Sequence, residues 1–94
     1  MCQIMIDRVD TDPLQQAIRI TALVSGRCEF GGELYMRVLW NNGQIGPESA
    51  FKQVSREFHH LPITYTAHDH THRLKGVRVV VKCKATSVSE EREI

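Results

Sequence analysis

The sequence predicts an all-β chain, an immunoglobulin-like antiparallel β-sandwich of six or seven short strands. Three observations carry this expectation. Apolar residues alternate with polar ones at period two along much of the chain, which is the pattern of strands with one buried face. Clusters of Gly, Pro, Asn and Asp punctuate those runs at short intervals, as the turns of a sandwich require. No long helix is indicated: Phe51, Val54 and Phe58 have helical spacing, but the strands on either side favour one or two short strands between Glu48 and His60. A small α+β fold with a helix in that interval is the alternative.

Each element has its own justification. Cys2, Ile4 and Ile6 alternate with Gln3, Met5 and Asp7, which gives a short first strand. Asp10, Thr11, Asp12 and Pro13 supply turn chemistry. From Ala17 to Val24, Ile18, Ile20, Ala22 and Val24 face one way and Arg19, Thr21 and Leu23 the other, a second strand. Gly26, Gly31 and Gly32 make Ser25 to Gly32 a loop. Leu34, Met36, Val38 and Trp40 then share one face of a third strand, opposite Tyr35, Arg37 and Leu39. Trp40 is expected to anchor the core through its large ring. Asn41 to Pro47 is a further loop, with Asn42-Gly43 favouring a tight turn. Leu61, Ile63, Tyr65 and Ala67 alternate along a later strand, whose Pro62 stands near its start.

The run from Arg73 to Lys84 is the most informative strand. Val77, Val79, Val81 and Cys83 have one parity, and Arg78, Val80, Lys82 and Lys84 the other. A half-buried strand with a cationic outer face follows. Lys at a sheet edge also discourages unwanted strand pairing. Chain length of 94 residues, with 41% hydrophobic and 24% charged, fits one domain. The expected division is a sandwich over residues 1–85 and a polar, acidic, frayed C-terminal tail over 86–94.

A formal net charge of +1 argues against a general nucleic-acid binder, which needs a large basic excess. No apolar run is long enough to cross a bilayer, and no export signal opens the sequence. A native start at Met1 implies a cytoplasmic protein, whereas a mature chain without its signal implies a periplasmic one.

Cys2, Cys28 and Cys83 are odd in number and lack a C-x-x-C spacing, so neither a zinc knuckle nor a thioredoxin-type pair is indicated. In an exported chain Cys2 and Cys83 are the expected disulfide, because both have inward parity on the first and last strands; Cys28 is then free in a loop. Reduced cysteines acting as small apolar residues are the other reading. His68, His70 and His72 would project on one side of an extended segment, where imidazoles at alternate positions suit Zn²⁺, Cu²⁺ or Ni²⁺. A polar connection between strands explains the same residues. Ser25, Ser49, Ser55, Ser87 and Ser89 lie in no nucleophile-elbow context, so no enzyme and no cofactor is expected.

Several features together resemble a known family. They are a Cys near the start of the first strand, the Ile-Arg-Ile-Thr-Ala-Leu-Val strand from Ile18, and Gly31-Gly32 before Glu33-Leu34-Tyr35-Met36-Arg37-Val38. Asn42-Gly43-Gln44 ahead of Phe51 and the late alternating valine strand complete the set. From Cys2 to about Ala85 the layout is similar to the curli-assembly chaperones of the CsgC/CsgH type, most of all the CsgH branch. The resemblance implies a monomeric periplasmic sandwich that keeps an aggregation-prone, unfolded amyloid subunit from polymerising early. Client binding would be electrostatic, through Arg78, Lys82 and Lys84, with Arg37 in addition. A metal-binding sandwich using the histidine run, and a small adaptor or inhibitor acting by protein contact, are the competing functions.

Overall fold

The computed structural model describes residues 2–68, 73–84 and 86–94. Seven strands follow one another: β1 (Cys2–Leu14), β2 (Ala17–Cys28), β3 (Gly32–Trp40), β4 (Lys52–Val54), β5 (Glu57–Ala67), β6 (Leu74–Cys83) and β7 (Thr86–Glu93). They form two antiparallel sheets, β1-β2-β5 and β4-β3-β6-β7. The expected all-β sandwich of two antiparallel sheets is thus the architecture found, although β1, β2 and β5, of 13, 12 and 11 residues, are longer than the short strands expected. Its short fourth strand lies beside β3, unlike the constant-type arrangement in which the fourth strand joins the sheet of the first two.

The alternation seen in the sequence fixes the faces. Ile4 and Ile6 from β1, Ile20, Ala22 and Val24 from β2, and Ile63 and Ala67 from β5 are buried against Leu34, Met36 and Val38 of β3 and Val77, Val79 and Val81 of β6. The core is aliphatic. Trp40 packs only at the rim of the core, partly buried, as the last residue of β3 and just past the register shift at Leu39/Trp40. The expectation that it anchors the core is corrected accordingly.

Three boundaries also differ from the sequence reading. The turn expected at Asp10 to Pro13 is strand: these residues pair with β2, and the chain reverses at Gln15-Gln16 with Gln16 at φ 62°. Pro13 is tolerated because β1 is an edge strand. The loop expected from Ser25 is also strand as far as Cys28, and a short turn leads into β3. Most consequentially, the acidic segment expected to fray is β7, paired along β6 from Gly76↔Glu93 to Cys83↔Thr86. Between Glu48 and His60 the strand reading holds, with β4 and the start of β5 in place of a helix.

Candidate functional site

The outer face of β6 carries Arg78, Val80 and Lys82, opposite the inward Val77, Val79, Val81 and Cys83, and Lys84 stands just past the strand, in the turn to β7. Register places Arg37 of β3 directly opposite Arg78, and Glu33 opposite Lys82. Two like charges face each other at the first pair, a destabilising arrangement unless acids are near. They are. Arg78 Nε donates to Glu91 Oε2 at 2.6 Å, and Arg37 lies 3.8 Å from Glu48 Oε2.

Glu91 reaches Arg78 because β7 occupies the edge beside β6. The mostly cationic face expected from the sequence is therefore corrected to a row in which two adjacent arginines are flanked by acids, in the order Glu48, Arg37, Arg78 and Glu91. Half-exposed ion pairs of this sort contribute about 0.2–1 kcal/mol to stability, yet they largely cancel the charge that a distant partner senses. Among the described residues, Arg37 Nε is buried without a hydrogen-bond partner.

Lys82 and Lys84 differ from the arginines. Lys82 Nζ lies 5.5 Å from the ring centroid of Tyr35 and 5.3 Å from that of Phe51. Those two rings stack at 4.7 Å with 25° between their planes. Lys84 Nζ lies 4.4 Å from the ring of Phe30. An ammonium over an exposed ring gains about 0.5–1 kcal/mol and keeps its charge. Phe30 is 69% and Phe51 42% exposed, so this end of the sheet presents aromatic surface and ammonium groups together. The sequence reading missed both phenylalanines because each stands in a connection, where strand parity says nothing about its face.

A second cluster lies at the same end, inside the sandwich. Cys2 opens β1, Cys28 closes β2 and Cys83 closes β6. Cys2 and Cys28 are direct partners across the β1–β2 ladder, and all three sulfurs lie within 4.8 Å of one another. Cys83 Sγ is within bonding distance of both Cys2 and Cys28, of which it can bond only one at a time. Cys28 is fully buried, not free in a loop as expected. The structure brings Cys2 and Cys83 together, but with a third sulfur beside them. The turn at Gln15-Gln16 alone would set Cys2 opposite Glu29; the irregularity at Ile6/Arg8 shifts the register by one and puts Cys2 opposite Cys28, and Cys83 arrives from the other sheet, so sequence parity could not reveal the cluster.

The remaining polar groups are placed as follows. His68 is exposed just after β5, while His70 and His72 lie outside the described residues. His59 is on the exposed side of β5, and His60 Nδ1 lies 3.1 Å from Asp7 Oδ2. Ser25 Oγ donates to that same carboxylate oxygen and accepts the His60 backbone N–H at 3.1 Å. Serine and histidine both address the acid here, whereas a nucleophilic triad needs the histidine between the other two. This cluster satisfies polar groups where β1 and β2 are irregular at Ile6/Arg8 and Val24/Gly26. Among the described residues no helix is long and apolar enough to cross a membrane. Comparison with protein-family models, with curated proteins and with solved structures returns no match.

Proposed function

We propose that this protein is a chaperone-type binding module that delays amyloid assembly of a client such as a curli subunit. The contact is transient and made by the lysine-aromatic end of the β4-β3-β6-β7 sheet. One observation carries this reading: Lys82 and Lys84 sit over Tyr35, Phe51 and Phe30 with both phenylalanines open to solvent. An unfolded client offers carboxylates to the ammonium groups and apolar or aromatic side chains to the rings. The periplasmic setting and the curli client rest on the sequence resemblance. Arg78 and Arg37, already joined to Glu91 and Glu48, contribute less than the two lysines.

Charge-steered contacts of this kind weaken as salt rises, because the Debye length falls to about 8 Å at physiological ionic strength. The test is thioflavin-monitored assembly of a purified curli subunit with substoichiometric protein. The parent protein lengthens the lag. Lys82→Glu/Lys84→Glu and Phe30→Ser/Phe51→Ser each shorten it to near that of the client alone, while Arg37→Gln/Arg78→Gln retains most of the delay. Equal delay by the parent and the double-glutamate protein would eliminate the lysine contact, and no delay by the parent would eliminate the function.

A further inference from the structure

We propose that Cys2, Cys28 and Cys83 form a three-thiolate site for a soft monovalent metal ion, Cu(I). The sulfurs come from three strands and from both sheets, so the fold itself assembles the set. Three cysteines cannot all enter disulfides, and whichever pair bonds leaves the third sulfur against it. Both pairs that include Cys83 are wide for a disulfide: the Cα atoms of Cys2 and Cys28 stand 7.3 Å and 6.9 Å from that of Cys83, beyond the roughly 4.4–6.8 Å usual for such bonds, whereas Cys2 and Cys28 are direct ladder partners with sulfurs 2.6 Å apart. Three sulfurs bound to one ion at about 2.3 Å each are about 4 Å apart in a trigonal plane, which calls for a wider frame than a covalent S–S bond.

The donor set selects the ion. Thiolates are soft ligands and suit Cu(I) or Zn²⁺, but three sulfurs complete a trigonal Cu(I) shell, whereas a structural Zn²⁺ takes four ligands. Among the described residues the three cysteines are the only group of three or more His, Cys, Asp or Glu donors close enough to share an ion. Cys28 is wholly buried and Cys83 nearly so, while Cys2 is half-buried and lines a surface cleft with Gln3, Arg27, Glu57 and His59. The cleft provides the way in. The turn after β2 wraps the innermost sulfur: Cys28 Sγ donates to Gly31 O at 3.0 Å, and a Cβ on Gly32 would lie 3.3 Å from that sulfur.

Binding requires the reduced chain. Three S–H bonds are lost, three protons go to solvent and three Cu–S bonds form; copper enters as Cu(I), so no electron is transferred. Because ligand deprotonation accompanies binding, affinity rises with pH.

The experiment uses the full chain, reduced with a phosphine and freed of reductant without oxygen. Cu(I), supplied as its acetonitrile complex, is titrated against bicinchoninate. One copper per chain should leave the competitor, native mass spectrometry should show one copper gained for three protons lost, and one equivalent should raise the melting temperature. Each single Cys→Ser change should weaken binding by about 100-fold or more, since losing even a supporting residue around a metal costs ~10–100-fold. Cys2→Ser is the change least able to disturb folding, because Cys2 is half-buried. Copper left entirely with bicinchoninate, Zn²⁺ held where Cu(I) is not, or undiminished binding by folded Cys2→Ser protein would each overturn the proposal. None of these readouts depends on delay of amyloid assembly.

Discussion

Lys84 is the residue at which conformation and contact are most tightly joined. Its φ of 53° lies in the left-handed region, which costs an ordinary side chain about 1–2 kcal/mol and suits Gly or Asn. The turn from β6 to β7 thus holds a lysine where an asparagine fits better, and its ammonium reaches Phe30. Replacing it by asparagine removes about 1 kcal/mol of strain and forfeits about 0.5–1 kcal/mol of cation–ring attraction. Lys84→Asn should therefore unfold within about 0.5 kcal/mol of the parent in urea while the delay of client assembly falls. Gly26 provides the opposite case, in which only stability changes. A Cβ there would stand 2.6 Å from Gln3 O and 2.6 Å from Phe58 Cζ, between β1 and a buried ring. Overpacking of this kind costs about 1–3 kcal/mol, so Gly26→Ala should lower the urea midpoint without altering client delay per folded molecule.

At the scale of elements, β7 decides what β6 can offer. It covers one edge of β6 through eight paired positions, packs Val88 against the core, and brings Glu91 to Arg78. Deleting residues 86–94 removes that ladder and uncovers the edge of a valine-rich strand. The loss should be at least ~3 kcal/mol, taking about 1 kcal/mol for each of several net hydrogen bonds plus the apolar area uncovered. Against a typical domain stability of about 5–15 kcal/mol, circular dichroism should show a markedly lower melting temperature; an unchanged one would mean that β7 contributes nothing. The sequence concealed this strand for a physical reason. Thr86 to Glu93 holds a single large apolar residue, Val88, so its pairing depends on the partner ladder and not on its own periodicity. Strands with a strict apolar face were legible: Leu34, Met36 and Val38, and Val77, Val79 and Val81, are buried as their parity required. Asp10 to Pro13 misled because turn chemistry yields when the opposite strand supplies the hydrogen bonds. The lysines were legible as outward-facing, but their aromatic partners and the opposing acids are long-range neighbours that only the register reveals.

On the scale of the whole molecule, two sheets must be held together along both open sides. The valine, leucine and isoleucine layer does most of this, yet each side also has a cation reaching across to a backbone carbonyl. Lys52 Nζ of β4 donates to Pro62 O of β5 at 2.7 Å, and Arg92 of β7 donates to Asp7 O of β1 at 3.2 Å. Each links an edge strand of one sheet to an edge strand of the other. Hydrogen bonds to charged groups are worth about 1.5–3 kcal/mol when protected, and solvent exposure reduces these to about 0.5–1 kcal/mol. Lys52→Met and Arg92→Met preserve much of each stem and remove only the charged donor, so each should cost about that amount in urea denaturation. The two bonds share no partner and close opposite sides, so the double variant should lose the sum of the single effects to within about 0.5 kcal/mol. A larger combined loss would mean that releasing one side loosens the other, with the two sheets hinging about the core as a unit.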